Sequence, residues 1–180
     1  MIYPVVAYGD PVLKKVGQEI KMPKEQLTQL IDDMFETMYN ANGVGLAAPQ
    51  IGKSLRLFVV DASPMEEDLD LKKAFINPVI EEEWGEEWGY EEGCLSIPQV
   101  RGDVFRPENL RISYEDIEGN KITEEYSGLA ARVIQHEYDH VEGVLFTEYL
   151  TGLKKRMLKS KLVKISKGSV QTSYRMRFPS

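Results

Sequence analysis

Ser127–Gly143 reads SGLAARVIQHEYDHVEG and holds both histidines of the 180-residue chain. Ser127 fits an N-cap, a helix follows from about Leu129 to Glu142, and Gly143 is its C-terminal stop. On a helix, positions i and i+4 stack on one face, so His136 and His140 can reach a single cation. Glu137 then lies beside the ion without binding it, placed to take a proton from a water that the ion has acidified. Ordinary packing of two helical histidines is the alternative. With only two in the chain, their falling four apart with Glu after the first argues against it.

A hydrolytic metal site needs three protein ligands and one open position. No third histidine exists, so the third ligand is a carboxylate or Cys94, the only cysteine. A thiolate is a strong, soft ligand for late or borderline first-row metals. Alone, such a cysteine reads as a small buried hydrophobe; the histidine pair shifts the balance to a ligand. Gly93 frees the backbone before it and Pro98 stiffens the chain after it. Asp139 reads as a group behind the ligands or a helix-capping carboxylate.

Upstream, Leu27, Leu30, Ile31, Met34, Phe35 and Met38 repeat at helical spacing, with Pro23 to open that helix and Gly43 after its end. A Gly-containing loop through Gln50 leads to a strand over Leu55–Val60. Ala74–Glu82, Leu110–Tyr114 and Lys121–Tyr126 are further strands, the last two joined across Glu118-Gly119-Asn120 as an antiparallel hairpin. Glu81–Glu92, seven glutamates interleaved with Trp84, Trp88 and Tyr90, reads as a solvated acidic strand or loop, with Glu92 the member set to support the metal site. A last helix over Thr151–Lys167 puts Leu153, Met157, Leu162 and Ile165 on one side, and a short strand is expected within Val170–Phe178. Helices and strands do not alternate as β-α-β units, so the expected fold class is α+β with mainly antiparallel sheets.

Length and composition point to one domain over 1–180. No early stretch joins a basic start to an apolar run, and no window approaches a membrane span, so the expectation is a cytoplasmic protein without a membrane partner. The net charge of −7 is uneven: from Lys154 onward there are nine basic residues and no acidic one. The body is acidic, and the helix and tail at about 151–180 are basic.

Gly43-Val44-Gly45-Leu46-Ala47-Ala48-Pro49-Gln50, Glu92-Gly93-Cys94-Leu95-Ser96 and Gln135-His136-Glu137-Tyr138-Asp139-His140 together resemble the three signature motifs of bacterial peptide deformylases, in that family's order and spacing. The resemblance implies antiparallel sheets around a central ligand-bearing helix. It implies removal of the N-formyl group from the initiator methionine of nascent polypeptides, with release of formate. Cys94, His136 and His140 would bind the ion, Fe²⁺ in the cell with Zn²⁺, Ni²⁺ or Co²⁺ able to substitute. Glu137 would be the acid/base, and the Gln50 amide and the Leu95 N–H would stabilise the oxyanion; without the motif, Gln50 is a loop residue capping backbone groups.

Helix spacing then places Leu129, Arg132 and Val133 on the ligand-bearing face, where with Val44 they are candidate walls for a methionine side chain. Plain core is the alternative for Leu129 and Val133; Arg132 would lend its stem and keep its head in water. Gly43 and Gly45 form a turn and also let an extended peptide approach the backbone. Arg101 either contacts substrate carbonyls or is an ordinary surface arginine. The basic helix is either a solvated lysine face or, as the resemblance suggests, a ribosome contact. Two rivals are a metallopeptidase drawing its third ligand from Glu142 or Glu148, and a non-catalytic, ribosome-associated metal-binding module.

Overall fold

The computed structural model describes residues 1–179. Its central element is a five-stranded antiparallel sheet in the order β2-β3-β4-β5-β6, formed by Gly45–Ala47, Leu57–Asp61, Lys72–Cys94, Ile97–Glu115 and Lys121–Ser127. Helix α1, Lys24–Asn40, covers one face and α2, Gly128–Val141, the other. The α+β class and the antiparallel sheet agree with the sequence reading. A smaller ribbon differs: β1, Val5–Val6, pairs in parallel with β7, Met176–Arg177.

Strand β3 shows why the sheet sits between two helices. Leu57 and Val59 pack toward Leu27, Leu30, Met34 and Met38 of α1, while Phe58 and Val60 pack with Ala131 and Ile134 of α2. A strand buried on both faces is apolar without alternation, as Leu57-Phe58-Val59-Val60 is. Phe58 and Phe75 stack at 4.8 Å between ring centroids, inside the α2 side of the core.

The β4–β5 hairpin is far longer than Ala74–Glu82 and Leu110–Tyr114. Its arms run 23 and 19 residues and meet at Cys94 opposite Ile97, with Leu95 and Ser96 as the turn. Two features hid this length. The glutamate run is a true strand whose acids face water except for the buried Glu92, and register shifts such as Trp84/Glu87 break its alternation. In β5 the inward set is Val100, Gly102, Val104 and Arg106, while Phe105 stands 64% exposed. An arginine inside and a phenylalanine outside invert the usual signal.

The remaining expectations were bounded or corrected. Ser127 is the N-cap of α2, although its side chain makes no capping hydrogen bond. Helix α3, Gly152–Ser166, buries Ile165 and half-buries Leu158 and Leu162, an i, i+4, i+7 stripe. Leu153 and Met157, expected on that side, are 65% and 68% exposed, because the helix packs through its C-terminal half. Within Val170–Phe178 only Met176–Arg177 is strand. No helix among the described residues is long and apolar enough to cross a membrane.

Candidate metal centre and active site

Helix α2 carries His136 and His140 on successive turns, with ring centroids 5.2 Å apart. The tip of β4 brings Cys94 to the same place, its Sγ 3.4 Å from His140 Nε2. One ligand atom from each of Cys94, His136 and His140 lies within 4.8 Å of the others, a cluster able to hold an ion. The donor set fits a borderline divalent metal, with one soft thiolate and two imidazoles. Burial lowers the pKa of His140 well below its ordinary value, favouring the neutral ring that a ligand needs. The rival third ligands lie in ion pairs of their own: Glu142 sits 3.3 Å from Arg56, and Glu148 sits 2.9 Å from Lys14.

Behind the cluster lies a buried charge network centred on Glu92, which is 4% exposed. Its Oε1 is 2.8 Å from His136 Nδ1, which leaves Nε2 of that ring for an ion. Arg106 donates from Nε and Nη2 to the two carboxylate oxygens at 2.7 and 3.0 Å, and Arg132 donates from Nη1 at 3.0 Å. Burial opposes the charged carboxylate, but His136 and Arg106 outweigh it and hold Glu92 well below the usual carboxylate range. Arg106 also donates to Asp139 at 2.8 Å, as does the Tyr149 hydroxyl at 2.8 Å. Asp139 therefore stands behind the cluster through Arg106.

The structure corrects the expectation for Arg132. Its head is not in water: the residue is 2% exposed, donates to Val104 O and Trp88 O, and lies 4.5 Å from the Trp88 ring centroid. The anion at Glu92 and the aromatic face of Trp88 hold the guanidinium inside.

Glu137 is buried beside the cluster, and its Oε1 has no protein partner. Burial pushes its carboxyl up to about 7, where it can take and give a proton near neutrality. Gly45 explains its fit: a Cβ there would stand 2.5 Å from Glu137 Oε2. Likewise a Cβ on Gly43 would come within 2.9 Å of the Leu95 side chain. Gln50, 1% exposed, both caps and faces the site. Its Oε1 accepts from Ala47 N at 3.0 Å, which turns Nε2 toward Cys94 Sγ at 3.3 Å and Ser96 Oγ at 3.2 Å.

A cleft of about 550 Å³ opens over this cluster. Gly43, Val44, Gly45, Gln50, Leu95, Arg101, Arg132 and Val133 all line it, with Cys94, His136 and Glu137. Leu129 does not; it is half-buried elsewhere on α2. Arg101 is exposed at the rim, held by Glu91 at 2.8 Å. Sequence reasoning missed Arg106, Met65 and Tyr174. Arg106 is legible once the β5 register is known, whereas Met65 and Tyr174 lie in loops with no periodic signal.

A helix presenting two histidines to a cysteine sulfur, with a buried carboxylic acid beside them in a cleft, defines a metal-dependent hydrolase. The family model for polypeptide deformylase matches residues 2–156. A peptide deformylase of Cytophaga hutchinsonii is 61% identical over 181 residues, covering 99% of this chain and 98% of that protein. Crystal structures of peptide deformylases from Legionella pneumophila and Thermus thermophilus are each 40% identical, with TM-scores of 0.83 and 0.84. They cover 94% and 93% of this chain and 98% and 99% of their own. The chain belongs to the polypeptide deformylase family. Its activity is metal-dependent hydrolysis that removes the N-formyl group from formylated nascent peptides.

Proposed function

We propose that Cys94, His136 and His140 hold one divalent ion, Fe²⁺ in the cell with Zn²⁺, Ni²⁺ or Co²⁺ able to replace it, and that residues 1–180 act as one catalytic domain. When bound, the ion supplies Lewis acidity at the formyl carbonyl and at the attacking water. Glu137 takes a proton from that water and returns it to the amine nitrogen as the C–N bond breaks. Gln50 Nε2 and the Leu95 N–H donate to the formyl oxygen as it gains charge. Glu92 orients His136 through Nδ1.

Val44, Val133 and the stem of Arg132 form the apolar slot for the methionine side chain, and Met65 joins them at the cleft. Strand β2 is an edge of the sheet, so the peptide following methionine pairs beside Gly43–Gly45 as an added strand, with Arg101 at the rim for its carbonyls. The observation that carries this reading is the meeting of three ligand atoms within 4.8 Å beside the buried acid Glu137.

Protein purified anaerobically is expected to release formate from a formyl-Met peptide, with about one iron per active chain, and to leave unformylated peptides intact. Internal cleavage of unformylated peptides would overturn the reading in favour of a peptidase. Zinc as the sole ion of the active fraction would overturn the choice of iron.

We further propose that the enzyme works in the cytoplasm, where formylated chains are made, and that the exposed lysines of α3 contact ribosomal RNA. Lysine–phosphate contacts are salt-sensitive through counterion release. The protein is therefore expected to sediment with ribosomes at low salt and to be released as salt rises. Absence of co-sedimentation at low salt would refute the contact.

A further inference from the structure

The family match ends at residue 156, yet the chain beyond α3 returns to the active site. After Gly168 the tail is tied along its length. Gln99 Nε2 donates to Gln171 O at 3.0 Å, and Val5 N and Ala7 N donate to Arg175 O and Arg177 O, each at 2.9 Å. Val170, Met176 and Phe178 pack against the core that contains Ile97, Val104 and Ile165. Between these anchors Gln171, Thr172 and Tyr174 line the same cleft as Cys94, Leu95 and Glu137. The Tyr174 hydroxyl donates to Leu95 O at 2.7 Å.

Leu95 and Ser96 are the two-residue turn of the long hairpin, where the register shifts between Gly93 and Cys94. Such a turn has no ladder of its own to hold it. The other groups that hold it come from elsewhere in the chain: Tyr8 N donates to Ser96 O at 2.8 Å, and Gln50 Nε2 approaches Ser96 Oγ at 3.2 Å. The side chain of Leu95 packs toward the α1 side of the core, and Tyr174 holds its backbone carbonyl. Burial pushes its phenol up to about 12, so it stays a donor throughout the neutral range.

We infer that Tyr174 is a positioning residue of the reaction: through the Leu95 carbonyl it fixes the turn whose Leu95 N–H faces the developing oxyanion, making the C-terminal tail a working part of the active site. The inference rests on the role proposed above for the Leu95 N–H. A pre-aimed donor stabilises the transition state more than the bound substrate, so the effect falls on kcat and not on KM. The Tyr174 hydroxyl is bonded to the Leu95 carbonyl and to none of Cys94, His136 and His140, so metal content stays unchanged.

The test is Tyr174→Phe in the full chain, which keeps the ring and its packing and removes only the hydroxyl. Loss of one such hydrogen bond is worth about 3- to 10-fold. The expected result is a fall of about that size in kcat for a formyl-Met dipeptide, with KM and metal per chain unchanged, and faster amide exchange at Leu95 and Ser96. A kcat equal to wild type with exchange also unchanged would overturn the positioning itself. Faster exchange with unchanged kcat would overturn the catalytic consequence and remove the Leu95 N–H from the oxyanion site. A melting temperature that falls while kcat per metal-loaded chain holds would make Tyr174 a purely structural residue.

Discussion

Glu137→Gln is expected to lower turnover by about 10²- to 10⁴-fold while the protein keeps its metal, because proton transfer by a positioned group contributes that much. Glutamine matches the shape of the carboxylate, which matters because Oε2 lies against the Gly45 backbone where even a methyl group has no room. It cannot take the proton from water. Three other side chains make up the proposed ion site, so ion content should not change. The variant is not expected to fold less well, since burial already disfavours the charged form of Glu137. Formate release and metal analysis on one preparation decide the matter. Turnover within a few-fold of wild type would remove Glu137 from proton transfer, and loss of the ion would make it a ligand.

Glu92→Gln should give the largest loss of stability. It leaves Arg106 and Arg132, 6% and 2% exposed, without the anion that both face. Breaking a buried pair by removing one partner costs about 3–5 kcal/mol. The effect has a pH signature. The folded pKa of Glu92 lies far below the ordinary value of 4.5, so its contribution is fully present above that value and is lost as pH falls through the folded one. The gap between wild type and variant in urea unfolding should thus be widest near neutrality and narrow below about pH 4.5. A second consequence reaches the metal: Glu92 orients His136, and loss of such a partner weakens ion affinity by about 10- to 100-fold. Equal stability at pH 7, or a gap independent of pH, would refute the network as drawn.

These two residues differ in how they can be found. Glu137 is legible in the linear sequence because an α-helix has a fixed pitch, so H-E-x-x-H commits its side chains to positions before anything else folds. The same holds for the buried face of α1, where Leu27, Leu30, Met34 and Met38 recur at helical spacing. Glu92 could only be suspected, from its place next to Gly93 and Cys94. Its partner Arg106 lies fourteen residues further along the same hairpin and is brought opposite by pairing whose register depends on bulges.

What the 180 residues settled by themselves was local: one helix with two histidines on one face, the glycines at 43 and 45, an α+β pattern, and a cysteine and a glutamine in motifs of their own. Tertiary structure decided the rest, because each remaining feature is a contact between distant segments. It drew Arg132 out of water onto Glu92 and Trp88, carried the acidic run into a strand, and left Leu129 outside the cleft. It also returned the tail to Leu95 from 79 residues away. Periodicity reports which face of an element is buried; what that face meets is set by the path of the whole chain.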